Sequence, residues 1–334
     1  MSESVGSGPR ARRTRIAPHP SRGRVPMRLG HAALAAWLAI LLWPDAAWAW
    51  GPATHIYVGT EILSALALLP PGVALLLRKH PFDFLYGCLA ADITLGKKYA
   101  PIGRHCHHWA VGEEILDAAD ADALRATALG YLVHLAGDTV AHNTFVPRQL
   151  VLTAATEALG HSYWEHRMDV HLGEFYAGVA RRVVTDFDHA HSDELFDQVL
   201  ARSLFSFKTN LRIFRGMIRL TDHETWQSIF DRVVDLSRWD LHDAEVRRYL
   251  RVTFNYSVDY LMAGGRSHPA QLDPVGEEKL LLAKRLRRRL GQSPPSDEVA
   301  LLRVAEEHFP FPQNDLDYWE QRPEPRPSPE ILLG

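Results

Sequence analysis

The chain has 334 residues, 46% of them hydrophobic, with 37 basic and 40 acidic side chains and a formal net charge of −3. That balance excludes general disorder and a strongly basic nucleic-acid-binding protein, and two cysteines in so long a chain exclude a disulfide-built scaffold. The length suits one large domain or two small ones.

The first 49 residues differ from the rest. Residues 1–26 are rich in Ser, Gly, Pro and Arg and carry no apolar periodicity. From Met27, an arginine, an apolar stretch of about 14 residues and Ala47-Trp48-Ala49 make up a secretory signal peptide cut after Ala49. The stretch is shorter than the roughly 20 apolar residues that a membrane span needs. Residues 1–26 are then an extended basic leader, or translation starts at Met27. Seven arginines and two acids leave with the leader, so a mature chain from Trp50 keeps 30 basic and 38 acidic residues, a net charge of −8. The expected location is secreted or periplasmic. The sequence does not decide whether Cys88 and Cys106 meet there.

Beyond Trp50, strand signals are scarce and no internal repeat is visible. Helical periodicity predicts helices over 53–68, 82–91, 111–119, 122–146, 153–180, 192–221, 225–236, 240–264, 276–290 and 296–308. Pro70-Pro71, Pro101-Ile102-Gly103, Gly264-Gly265 and Pro294-Pro295 separate them. The predicted organisation is a leader over 1–49, an all-α multi-helix bundle over 50–309, and a proline-rich tail over 310–334 that wraps the surface or hangs loose.

Histidine is the unusual residue. Of eighteen, ten fall between His55 and His171, interleaved with acids at helical spacing. In "HLAGDTVAH", His134, Asp138 and His142 lie four apart and project from one side of a helix. His161, Glu165 and Asp169 in "HSYWEHRMD" repeat the geometry. A lone histidine is usually a hydrogen-bonded core residue. Around 134–142, however, Leu132, Val133, Leu135, Ala136, Val140 and Ala141 are apolar. Burying two imidazoles and a carboxylate among them costs several kcal/mol without compensation. A metal ion supplies that compensation, and imidazole and carboxylate are ligands zinc accepts. Asp92 at a predicted helix end, His105, His107 and His108 in "HCHHW", and His55 after "WGPAT" are further candidates.

These pieces, in this order over roughly residues 50–175, resemble the zinc-dependent phospholipase C family, which is related to single-strand nucleases. The resemblance implies an all-α fold with zinc ions, two to three, in a cleft. It implies that Trp50, through its freed amine and carbonyl, and His55 hold one ion with Asp138. Asp92, His107, His134 and Asp138 would hold a second, Asp138 bridging the two. His142, His161 and Glu165 would hold the third. His107 suits the family's spacing from Asp92 best, with His105 and His108 as alternatives. Some features depart from the secreted enzymes. His134-x3-Asp138-x3-His142 is shorter than their His-x3-Asp-x5-His and looks more like the N-terminal domain of glycosylphosphatidylinositol-specific phospholipase D. Ala91-Asp92 stands where the family usually has Pro-Asp.

The implied activity is hydrolysis of a phosphodiester by a metal-activated water, with Asp92 as ligand or water-orienting carboxylate. The implied substrate is a phospholipid or another phosphodiester. Two rival readings are a single-strand nuclease and a non-catalytic zinc-binding envelope protein. A nuclease needs aromatic platforms and a positive groove; the mature chain is acidic, and no stable nucleic-acid partner is expected. "KRLRRRL", residues 284–290, is the one basic run of the mature chain. It reads first as a solvated helix face and second as a transient contact with an anionic membrane surface.

Overall fold

A computed structural model describes residues 50–94, 100–101, 103–154, 161–200, 205–221, 241–292 and 298–323. All of them fall within the compact unit Ile40–Gly334. The leader, the expected helix at 225–236 and the end of the tail lie outside the described residues. Among the described residues every regular element is helical, as expected of an all-α protein. No helix among them is long and apolar enough to cross a membrane.

The chain runs through α1 (Pro52–Ser64), α2 (Pro71–Lys79), α3 (Pro81–Ala90), α4 (Trp109–Ala118), α5 (Asp122–Val140), α6 (Val146–Leu152), α7 (His161–Leu172), α8 (Glu174–Thr185), α9 (Ala190–Val199), α10 (Phe207–Thr221), α11 (Asp243–Ala263), α12 (Glu277–Gln292) and α13 (Glu298–His308). Each of the first three begins on a proline, whose fixed φ suits a first turn and whose missing N–H costs nothing there. That explains one difference from expectation: Pro70-Pro71 reads as a breaker, yet it opens α2. The expected helix over 153–180 is divided, with α7 ending before Gly173, which takes φ 80°. The expected helix over 192–221 likewise separates into α9 and α10.

α5 is the central helix, with α3, α4 and α11 packed on it. Where α3 crosses it, side chains are almost absent. A Cβ on Gly87 would stand 1.9 Å from the Thr127 carbonyl oxygen, and one on Gly130 would stand 2.0 Å from that of Phe84. Only paired glycines allow this crossing, which brings the end of α3, where Asp92 sits in a 3₁₀ turn, against the middle of α5. α5 then continues through a π-helical turn, Ala141–Phe145, into α6. Pro147 accounts for that turn: it has no N–H to give to Asn143, and its ring crowds that carbonyl in a regular helix.

α12 and α13 pack on α6. The described part of the tail is well held. Trp319 N–H donates to Asn255 at 2.8 Å, Asn255 donates to the Leu316 carbonyl at 2.6 Å, and Arg322 pairs with Glu61 of α1. Phe309 and Phe311 are buried with Tyr249 of α11.

Candidate metal centre

The sequence candidates gather in two groups. In the first, Asp138 of α5 is completely buried. Its Oδ1 lies 3.4 Å from Nε2 of His55 on α1. Its Oδ2 lies 3.0 Å from Nε2 of His107 and 3.2 Å from Nε2 of His134. Asp92 completes the group, with Oδ1 at 3.4 Å from His107 Nε2 and 4.0 Å from His134 Nε2. The His107 and His134 Nε2 atoms are 3.2 Å apart, and the rings of His55 and His134 stack at 3.8 Å. All five residues are buried.

The second group stands one helical turn on. His161 Nε2 lies 2.6 Å from Glu165 Oε1, one turn apart on α7, and the ring of His142 meets that of His161 edge-on at 5.1 Å. Their potential ligand atoms lie within 4.8 Å of one another. His134, Asp138 and His142 do share a side of the helix, but each four-residue step also climbs about 6 Å along the axis. His142 therefore leaves the Asp138 group and joins α7.

The atoms of the first group fit a bound cation better than they fit one another. His55 Nε2 and both Asp138 oxygens are buried without a hydrogen bond of acceptable direction, although nitrogens and oxygens sit at 3.0–3.4 Å. Buried polar atoms normally find partners, so an imidazole nitrogen and two carboxylate oxygens that converge without a well-directed hydrogen bond suit a bound cation. Protonation supports this. Burial, and next the neighbouring His134, lowers His55 to about 3, keeping its imidazole neutral as a ligand must be. Burial alone would raise the Asp138 carboxyl, but His134 and His107 hold it well below the ordinary carboxylate range.

Backbone carbonyls orient two of these rings. His134 Nδ1 is 2.8 Å from the Cys88 carbonyl, and His142 Nδ1 is 2.5 Å from that of Pro274. Each contact places the proton on Nδ1 and turns Nε2 toward the cluster. His107 Nδ1 lies 3.2 Å from Cys106 Sγ. Cys88 and Cys106 are both buried free thiols and do not bridge.

Of the three loop histidines, it is His107 that faces Asp138; His105 Nδ1 instead accepts the His107 N–H at 3.1 Å. His108 precedes α4 and is partly exposed. Trp50 is fully buried, its indole N–H donating to the Gly137 carbonyl at 2.9 Å and its ring packed on Phe145 and Tyr249. Asp169 joins neither group: its carboxylate accepts hydrogen bonds at the start of α1. Sequence reasoning misses the Cys88 and Pro274 carbonyls, because a backbone oxygen has no residue signature. Trp109 and Trp164 behave as packing residues: Trp109 stacks on Tyr260 at 4.7 Å and Trp164 is buried.

Residues 54–209 match the family model described as zinc-dependent phospholipase C. Over that span the chain is similar to the zinc-dependent phospholipase C family, and the match implies a zinc-dependent phosphodiester hydrolase. The span holds every candidate ligand except Trp50, and it ends before α11. No curated protein and no solved structure matches the chain.

Proposed function

We propose that this protein is an exported phospholipase C that cleaves the phosphodiester of a phospholipid head group, with three zinc ions held after the leader is removed at Ala49. The observation that carries this reading is the division of Asp138, one oxygen toward His55 and the other toward His107 and His134. Two cations on either side of one carboxylate is the arrangement it suits. His55 and the terminal residue Trp50 would hold the first with Asp138; Asp92, His107, His134 and Asp138 would hold the second; His142, His161 and Glu165 would hold the third. Bound zinc supplies Lewis-acid polarisation of phosphoryl oxygens and lowers the pKa of a bound water to about 7. The protein's own groups do the rest. Asp92, itself a ligand in this reading, would also be placed to orient an attacking water through its carboxylate. The Cys88 and Pro274 carbonyls hold their imidazoles in the tautomer that presents Nε2. Burial excludes bulk water from the ligand atoms, so their charges act through a weakly screening medium.

The test is metal analysis of the protein beginning at Trp50, followed by hydrolysis assays on phospholipid emulsions and on single-stranded DNA. Zinc near three equivalents with lipid hydrolysis abolished by chelator is expected. Less than one equivalent would overturn the metal reading, and hydrolysis of DNA alone would overturn the lipid substrate. A chain carrying an extra Met before Trp50 should lose one equivalent, because an amide nitrogen's lone pair is delocalised and does not replace an amine.

A further inference from the structure

α7 presents His161, Glu165 and Asp169 at successive turns. The first two belong to the second group, but the third reaches the start of another helix. Asp169 Oδ2 accepts the Ala53 N–H at 3.0 Å. Its Oδ1 accepts the Thr54 N–H at 2.9 Å and the Thr54 hydroxyl at 2.7 Å. A helix usually receives such bonds from its own N-cap side chain. α1 starts from Gly51 and has no side-chain cap of its own, so Asp169 supplies it from more than a hundred residues away. The approach is close: a methyl group on Gly51 would stand 2.1 Å from Oδ2. Burial pushes this carboxyl up to about 6, against the pull of its hydrogen bonds. An ionised group is therefore held where its burial opposes it, and what it holds is the turn between Trp50 and His55.

We infer that Asp169 is a positioning residue for the first metal group, fixing the first turn of α1 so that His55 and the mature N-terminus at Trp50 meet Asp138. One helix thereby supplies ligands to one group and sets the geometry of the other. Because Thr54 immediately precedes His55, a shift of this turn moves His55 directly. Asp138, held in the last turn of α5 where that helix runs on into the π turn, does not follow. The inference rests on the metal-binding reading above.

The test uses the mature holoprotein and titrates bound zinc against a competing chromophoric chelator, in wild type, Asp169→Asn, Thr54→Val, His55→Ala and the double variant Asp169→Asn/His55→Ala. In Asp169→Asn, one zinc equivalent should weaken about 10–100-fold while the others hold, the usual cost of losing an outer partner of a ligand. Thr54→Val should weaken the same equivalent less, by about 10-fold at most. The double variant should bind zinc as His55→Ala does, since a residue that acts through His55 has no further effect once His55 is gone. Equal weakening of all equivalents, an unchanged titration, or a further loss on top of His55→Ala would each overturn the inference. If Asp169→Asn fails to fold, Thr54→Val decides by the same criteria: selective weakening supports the inference, and uniform or absent change overturns it. Wild-type protein that binds no zinc would instead defeat the metal reading itself, a result visible before any variant is compared.

Discussion

The group around Asp138 draws its side chains from four segments, α1, the turn after α3, the loop before α4 and α5, whereas the group at His142 draws on two, the π turn and α7. Four segments can converge only if their helices are locked together, and the Gly87–Gly130 crossing provides that lock. The second group needs less convergence, since His161 and Glu165 are already neighbours on one helix. Its outside partner is the Pro274 carbonyl, beyond the family-matched span. The first group is thus set by the packing of the family domain, and the second borrows from the C-terminal part of the chain. Helices α11 to α13 are part of the site's support.

The sharpest way to break this comparison is to remove one carboxylate from each group. Asp138→Ala should have the largest effect, because Asp138 faces both His55 and the His107–His134 pair. Without it two cations would face each other with no anion to separate them. Two zinc equivalents should be lost, and the hydrolysis rate should fall more than about 100-fold, beyond the range typical of an outer partner. Elemental analysis and initial rates on one preparation read both.

Glu165→Ala should cost less. One equivalent should go and the first group should keep its metal, because α7 supplies no ligand to it. Glu174→Ala, on the exposed first residue of α8, should change neither quantity. If Asp138→Ala loses no more zinc than Glu165→Ala, the two groups are equivalent and the bridging assignment fails.

The smallest effect concerns pH and the metal-free protein. Asp169 has a folded pKa of about 6, raised from 3.8 by burial. The folded form binds this proton more tightly, so its contribution to stability is fully present below 3.8 and is lost as pH rises through about 6. Wild type should therefore lose stability relative to Asp169→Asn between those values. Denaturant unfolding of both metal-free proteins across pH 4 to 7 checks the sign; a difference that stays constant or grows in favour of wild type would contradict it.

Much of the site was legible because its chemistry lies in side chains at fixed spacing. His134 and Asp138, and His161 and Glu165, sit one turn apart on helices whose apolar periodicity is plain, so each pair had to share a face. His55 and Asp92 were legible only through their place in an ordered series. What was hidden has a physical cause in each case. The choice among His105, His107 and His108 depends on loop backbone direction, which residue type does not encode. The separation of α7 from α8 at Gly173 fell inside a run whose periodicity carried through. α2 was hidden because a proline pair ends a helix as readily as it starts one.

The sequence by itself determined the helical class, the two carboxylate–imidazole pairs and the ordered series of candidate residues, because these follow from local periodicity and side-chain chemistry. Only the tertiary structure decided that Asp138 turns one oxygen to each side, that His142 leaves its helical neighbours for α7, and that Asp169 caps α1. Those outcomes depend on how closely α3 can approach α5 and on where the π turn falls before Pro147. Contacts between residues a hundred positions apart are settled by packing, and packing is a property of the assembled helices rather than of any one of them.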